Sequence, residues 1–246
     1  VRVSRQGVVA AILKDKEATW IRLYNVTGTE IARIKTTLQD SGYPLDVAMT
    51  PDAKKMMVSY LGENGGKLRS RIAFYDFSSA SDQNSDHMTG MLEYSGRVFP
   101  SVYYADAATP VALANDGFVV LKNKSVPQVE ADVEFDREIV SSFHDERYVG
   151  FVFNNASADC RYEMEAYRYN GKRSMKHEFD CDYSEIKLDD GEILLYNAKS
   201  LTVVTLSGNE RFATDYEKQV AFFSKIRGYR KYLVITDDSM DRIRIE

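Results

Sequence analysis

The chain has few of the residues on which most catalytic and metal sites depend. Its 246 residues include three histidines and two cysteines, too few for a histidine-rich zinc site, a cysteine metal cage or a disulfide-dense scaffold. The sequence also has no H-E-x-x-H, C-x-x-C, G-x-S-x-G, P-loop or G-x-G-x-x-G motif. We therefore assign no catalytic, cofactor-binding or metal-binding residues and expect no cofactor.

Long apolar runs and clusters of basic residues are missing as well. The longest uninterrupted apolar run, Gly7 to Leu13, is far shorter than the ~20 residues that span a bilayer. The formal net charge is -5, and no Lys/Arg cluster provides the electrostatic footprint that nucleic-acid binding requires. We expect a soluble globular segment that neither inserts into a membrane nor binds nucleic acid.

Short stretches with a hydrophobic period of two fill the chain. Aromatic and β-branched residues alternate with polar ones between turn residues, which is typical of β-strands. The best helical candidate, residues 215–223, is short and ends in a β-like pattern. The sequence therefore predicts an all-β fold with little helix.

Six loose copies of one unit repeat along the chain. In each copy, a first strand and a turn precede a very apolar strand, and a strand with an alternating pattern follows. The marker turns at residues 7, 53, 117, 147, 191 and 228 have a mean spacing of about 44 residues, which is the period of about 40–45 residues expected for β-propeller blades. A β-sandwich or two small sheets remain the alternative, because their turns have similar spacing.

We predict a β-propeller of about six four-stranded antiparallel blades, with seven as the alternative number, that occupies residues 1–246 as a single domain. The last strand, residues 242–246, alternates charge with Ile and is predicted to pair with residues 1–3.

An Asn-Gly hairpin places the two cysteines opposite each other. Asn170-Gly171 favours a two-residue type I′ turn, in which opposed residue numbers sum to 341, so that Cys160 faces Cys181 and Glu165 faces Lys176. The cysteines fall at a non-hydrogen-bonded position, where Cα atoms lie about 4.5 Å apart and a disulfide can form. We predict a disulfide between Cys160 and Cys181, with two free thiols as the alternative.

The state of the cysteines bears on the cellular compartment. Disulfides persist in oxidising compartments, so the predicted bridge favours an extracytoplasmic location, whereas free thiols favour a cytosolic scaffold of the WD40 type. The chain begins at Val1 without a Met or a signal sequence. An upstream anchor or signal and a complete cytosolic protein both remain open.

Two segments of the second copy resemble a known family of propellers. Thr50-Pro51-Asp52-Ala53-Lys54 resembles the "SPDGK" turn, and Ala73-Phe74-Tyr75-Asp76 the "YD" strand, of WD40-like, YVTN-type bacterial propellers. Ala53 stands where those proteins usually carry Gly, and the tryptophan of a true WD repeat is missing.

The whole chain resembles the extracytoplasmic part of an uncharacterised family from Gram-positive gut bacteria, built as a single-span membrane anchor followed by a propeller. The resemblance implies that a membrane anchor and further blade strands lie upstream of this segment. It carries no catalytic residues that could be transferred to this chain.

These observations favour a non-enzymatic, extracytoplasmic binding or sensing module, membrane-anchored at the cell surface, with a protein or a cell-envelope carbohydrate as ligand. The alternative is a propeller hydrolase that acts on carbohydrate with paired carboxylates. Asp46 and Glu138 lie on predicted first strands and are the acidic residues considered for that role. Carboxylates with raised pKa values would favour the enzyme.

Overall fold

The computed structural model describes residues 1–15, 18–36, 42–78, 87–124, 127–155 and 159–245. Within these residues the chain forms 23 β-strands in six antiparallel sheets, and it contains no helix. The all-β prediction is therefore confirmed. The chain divides into two compact units, Val1–Asp136 (unit 1) and Arg137–Glu246 (unit 2), and the prediction of a single domain stays a prediction.

Unit 1 contains three four-stranded sheets. In each sheet the strands pair in chain order, so the first and fourth strands form the two edges. The twelve strands are β1 (Arg2–Val3), β2 (Val9–Lys14), β3 (Thr19–Tyr24), β4 (Glu30–Thr36), β5 (Tyr43–Met49), β6 (Lys55–Asn64), β7 (Lys67–Asp76), β8 (Met88–Ser95), β9 (Ser101–Tyr104), β10 (Pro110–Ala114), β11 (Gly117–Lys122) and β12 (Gln128–Glu134).

Unit 2 contains two four-stranded sheets and one three-stranded sheet, which are paired in the same way. Its strands are β13 (Ile139–His144), β14 (Tyr148–Asn154), β15 (Tyr162–Arg168), β16 (Arg173–Phe179), β17 (Glu185–Asp189), β18 (Glu192–Tyr196), β19 (Ser200–Thr205), β20 (Glu210–Asp215), β21 (Val220–Lys225), β22 (Lys231–Thr236) and β23 (Met240–Arg244). The helical candidate at residues 215–223 was wrong, because it spans the end of β20, a connection and the start of β21.

The pairing predicted for the two ends of the chain was also wrong. β1 is hydrogen-bonded to β2 as the first strand of its own sheet, and β23 pairs with β22. Among the residues that the structure describes, no fourth strand lies beside β23.

The middle strands of each sheet supply the core because both of their faces are covered. β10 and β18 are buried at every position, whereas the fourth strand β8 is exposed or half-buried throughout. Burying one large apolar side chain contributes about 1.5–3 kcal/mol, so these strands dominate the stability of each sheet. The six predicted copies coincide with the six sheets.

One marker turn of the sequence pattern was placed a strand too late. Residue 117 is the first residue of β11, the third strand of its sheet, whereas the other markers precede the second strand. This shift lengthens the interval before residue 117 and shortens the interval after it. The polar segment predicted as a loop in the second copy lies between β7 and β8, and its residues 79–86 are outside the described residues.

In the turn that resembles "SPDGK", Ala53 adopts the backbone conformation that is usual for the glycine of that motif. Ala53 adopts a φ of 55°, a left-handed conformation that is uncommon for residues other than Gly. The Thr50 hydroxyl donates to Asp52 Oδ1 at 2.6 Å, and the Ala53 N–H donates to the Thr50 carbonyl at 2.8 Å. The first of these bonds lowers the pKa of Asp52. The polar residues of the turn thus hold Ala53 in its unusual conformation.

The Asn170-Gly171 hairpin has the predicted ladder but a different turn. Glu165 lies opposite Lys176, as predicted. Only Gly171 has a positive φ, at 78°, and its N–H donates to the Arg168 carbonyl at 2.9 Å. A type I′ turn requires positive φ at both central residues, so the turn prediction was wrong. An unpaired residue of β16, Ser174, restores the predicted register beyond the turn.

The predicted disulfide is absent, since Cys160 and Cys181 are both free thiols. The β15–β16 ladder ends at Tyr162 and Phe179. Beyond this pair, the Arg161 N–H donates to a side-chain oxygen, Asp180 Oδ1, at 2.6 Å. The two cysteines therefore lie outside the ladder that was expected to hold them face to face. Burial raises the pKa of the Cys181 thiol.

The same turn geometry occurs in three sheets. Gly28, Gly171 and Gly208 have φ values of 79°, 78° and 81°, and each N–H donates at 2.9 Å to the carbonyl three residues earlier. In all five four-stranded sheets, the register between the third and fourth strands shifts by one residue near the end of the third strand. Such bulges increase the local twist and can redirect a side chain.

Candidate functional site

The two carboxylates considered for hydrolysis lie in different units. Asp46 on β5 is buried and accepts hydrogen bonds from Arg2 Nη2 at 2.9 Å and from the Val102 N–H at 3.0 Å. It thereby links three neighbouring sheets of unit 1. Glu138 is exposed and precedes β13. Asp46 has a structural role, and Glu138 has no contact that indicates a catalytic one.

A different pair of buried carboxylates, Glu163 and Glu165, lies on β15. Glu165 is 2% exposed and accepts from Arg173 Nη1 at 2.6 Å, and Arg137 bridges both carboxylates at 2.6 and 3.0 Å. Lys176 Nζ lies 2.7 Å from Glu163. Burial opposes the ionisation of Glu163, but the hydrogen bonds from Lys176 and Arg137 outweigh it and lower its pKa. Arg137, Arg173 and Lys176 thus surround the pair with positive charge.

A second buried carboxylate, Glu192, forms the base of a polar surface in unit 2. Glu192 is 3% exposed and accepts from Tyr232 Oη at 2.7 Å, and Lys225 Nζ lies 3.2 Å from the same oxygen. Arg211 contacts the other carboxylate oxygen. Arg211 is also the unpaired residue of the β19–β20 bulge, so the bulge directs this guanidinium towards the carboxylate.

The turn between β17 and β18 positions Glu192 and fixes the neighbouring sheet. Asp190 and Gly191 have φ values of 47° and 77°, which is the pattern of a two-residue Asp-Gly hairpin. Before the turn, Asp189 Oδ2 accepts from the Ser224 hydroxyl at 2.6 Å and from the Lys225 N–H at 2.9 Å. These bonds join β17 to β21, so Lys225 is held beside Glu192.

The turn between β21 and β22 projects a tyrosine and arginines above this base. Tyr229 is 70% exposed, and the Arg230 guanidinium lies 5.1 Å from the centre of its ring. Arg230 has a φ of 51°, and its carbonyl accepts from the Ile245 N–H at 3.0 Å. We call Arg227, Tyr229, Arg230, Arg244 and Ile245 the Tyr229 surface.

Two cavities meet at Tyr229 and Arg230. One, of about 540 Å³, reaches down to Glu192 and Lys225. The other, of about 400 Å³, lies against Arg244 and Ile245. Both cavities are large enough for one or two amino-acid side chains, and they share the exposed tyrosine as a common wall.

The sequence pattern did not reveal this site. Tyr229 and Arg230 lie in a turn, where no periodicity distinguishes a binding residue from a solvated one. The one available signal was Glu192, a charged residue directly before the apolar run Ile193–Tyr196. A carboxylate at the edge of a fully buried strand must be paired, which points to the cations around it.

The described segments contain neither a cluster of metal ligands nor a membrane-spanning helix. No group of three or more His, Cys, Asp or Glu in them is arranged to hold a metal ion. In the same segments we find no helix that is long and apolar enough to cross a bilayer.

Residues 1–245 match the model of a family of unknown function, DUF5711. The chain belongs to this family. No curated protein matches the DUF5711 chain.

The DUF5711 chain is similar to solved propellers at low sequence identity. The WD40 domain of Pan2 from Neurospora crassa matches with a TM-score of 0.52 and 10% identity, over 93% of this chain and 72% of that chain. The Dos1 propeller matches with a TM-score of 0.54 and 8% identity, over 93% and 63%. BBS1N, solved in complex with ARL6DN, matches with a TM-score of 0.52 and 11% identity, over 98% and 77%. Together with the six antiparallel sheets, these similarities confirm the predicted β-propeller fold.

Proposed function

We propose that this DUF5711 chain is an extracytoplasmic protein-interaction module that binds its partner through the Tyr229 surface and has no catalytic activity. The observation that carries the proposal is a largely exposed tyrosine, placed between two cavities beside arginines that form no ion pair with the described residues. Tyr and Arg are among the residue types most enriched at binding hot spots.

The base beneath the surface supports a binding role. Lys225, Arg211 and Tyr232 hold Glu192 through charged contacts, and the Arg230 carbonyl is bonded to the chain after β23. A turn that is fixed in this way loses little conformational entropy when a partner binds. The similarity to the WD40 domain of Pan2 and to BBS1N, which was solved in complex with ARL6DN, also supports an interaction module.

The contacts of the buried carboxylates favour a binding module over the hydrolase alternative. A glycosidase needs a carboxylic acid whose pKa is raised so that it can donate a proton. The contacts of Glu163 lower its pKa instead. Arg137 and Arg173 both contact Glu165, so its carboxylate is already engaged by cations.

The extracytoplasmic location is supported by the resemblance of the chain to membrane-anchored bacterial propellers. Because both thiols are free, a disulfide no longer supports this location. A cytosolic WD40-type scaffold is the alternative, and the free thiols offer a direct way to separate the two.

Photo-cross-linking from position 229 tests the interaction. We expect a photoreactive phenylalanine analogue in place of Tyr229 to give a discrete cross-linked product in the cells that produce the full-length protein. The matched control carries the analogue at Val26, which is 73% exposed in a hairpin turn of unit 1. Gel electrophoresis and mass spectrometry identify the product. Equal products from both positions, or none from position 229, would contradict the proposal.

Thiol labelling of intact cells tests the location. We expect a membrane-impermeant maleimide to label the full-length protein through Cys160 or Cys181 before lysis, because both thiols are free and partly exposed. A variant with serine at both positions serves as the control and remains unlabelled. Labelling that occurs only after lysis would place the propeller in the cytosol.

A further inference from the structure

The Tyr229 surface carries positive charge that the protein does not neutralise. Arg227 and Arg244 are exposed, and neither they nor Arg230 forms an ion pair with a residue in the described ranges. Arg230 Nε is buried and has no hydrogen-bond partner in this part of the chain. Since the whole chain has a net charge of -5, the two arginines that line one cavity, Arg230 and Arg244, form a local concentration of positive charge.

The cavities beside these arginines combine charge with apolar surface. The cavity of about 400 Å³ is lined by two arginines, Arg230 and Arg244, together with Tyr229 and Ile245. A guanidinium presents its donors in a planar fork that matches a carboxylate. The apolar walls match a hydrocarbon or aromatic side chain next to that carboxylate.

The neighbouring cavity adds one exposed carboxylate to the site. Asp190 lines this cavity together with Glu192 and three cations, Arg211, Lys225 and Arg230. Tyr232, Lys225 and Arg211 already contact Glu192, so Asp190 is the carboxylate that can accept hydrogen bonds from peptide N–H groups. A peptide that spans both cavities could place its carboxylates on the arginines and its backbone beside Asp190.

We infer that the Tyr229 surface binds an acidic peptide segment, in which Asp or Glu residues flank a large apolar side chain. This inference rests on the proposed interaction function and names the partner chemistry of the same site. Electrostatic complementarity of this kind accelerates association and excludes basic partners. The contact between Tyr229 and the apolar side chain of the peptide, which becomes buried on binding, supplies affinity.

Fluorescence anisotropy with a defined peptide tests the inference. The probe is a labelled synthetic peptide of alternating Asp and Glu on both sides of one Leu-Phe pair. We expect the full chain to bind it and Tyr229→Ala to weaken binding at least about tenfold, as for a hot-spot residue. The double variant Arg230→Glu/Arg244→Glu should have an effect of at least the same size. Binding should weaken between about 0.1 and 1 M NaCl, where the Debye length falls from about 10 to about 3 Å.

A matched variant separates local recognition from net charge. Lys199 is exposed in the turn at the opposite end of β18, and Lys199→Glu changes the net charge by the same amount as each arginine substitution. We expect it to alter affinity less than about twofold. The single variant Arg244→Glu, on the exposed strand β23, keeps the test valid if Arg230→Glu perturbs the turn. Circular dichroism and thermal unfolding confirm that each variant is folded.

Several outcomes would overturn the inference. These are equal loss of affinity with Lys199→Glu, unchanged binding in the arginine variants, and equal binding of a peptide with Asn and Gln in place of Asp and Glu. Displacement of the peptide by polyphosphate at equal charge would identify a phosphate-polymer surface instead. If position 229 cross-links to a protein but the acidic peptide does not bind, the interaction function stands and the inference fails.

Discussion

Replacing Glu192 by alanine is expected to destabilise the protein by about 3–5 kcal/mol, the usual cost of removing one partner from a buried ion pair. The substitution leaves Arg211 without its carboxylate and removes the hydrogen-bond acceptor of Tyr232, which is 0% exposed. Among the described residues, Lys225 keeps Asp190 as its one ionic partner. Urea unfolding followed by circular dichroism measures the loss.

An exposed carboxylate of the same unit provides the control. Glu210 lies on β20 next to Arg211 and forms no ion pair with any residue in the described ranges. Glu210→Ala should change the free energy of unfolding by no more than about 0.5 kcal/mol. A loss below about 1 kcal/mol for Glu192→Ala would show that the buried ion cluster does not stabilise unit 2.

Replacing Gly117 by alanine is expected to cost about 3 kcal/mol or more. A Cβ at this position would lie 1.9 Å from the carbonyl oxygen of Val133. This oxygen belongs to the backbone of β12, which pairs with β11 next to it, so it cannot withdraw without breaking the ladder. The midpoint of urea unfolding and the melting temperature should both fall.

The substitution Gly28→Ala is a control that introduces backbone strain without the steric clash expected for Gly117→Ala. It has a positive φ of 79°, but nothing lies within 4 Å of the Cβ position. Gly28→Ala should therefore cost only the left-handed backbone penalty of about 1–2 kcal/mol. If the two alanine variants were equally stable, the close approach between β11 and β12 would carry no energetic weight.

The sequence was most informative where burial imposes a simple pattern. Middle strands such as β14 and β18 are covered on both faces, so their apolar runs could be located from residue types alone. Fourth strands were harder to place, because their alternating pattern is also found in other edge strands. The third marker was placed late because Gly117 opens a second hairpin, and a turn residue does not identify which pair of strands it joins.

The disulfide and the candidate site depend on interactions that strand patterns do not encode. The register calculation placed Glu165 opposite Lys176 correctly, but it could not locate the end of the ladder, which is set by the side chain of Asp180. Tyr229 becomes a binding candidate only through what surrounds it in space, namely two cavities and the neutralised carboxylate of Glu192.

The three hairpins that close on Gly28, Gly171 and Gly208 share a backbone conformation and a one-residue shift of register, yet their turns have little else in common. The repeat is therefore kept as a pattern of hydrogen bonds, and the side chains that this pattern does not use are free to diverge. One such side chain, Arg211, has acquired a role of its own as the ionic partner of Glu192. An irregularity that shapes every four-stranded sheet thus also provides the positions at which individual sheets become specialised.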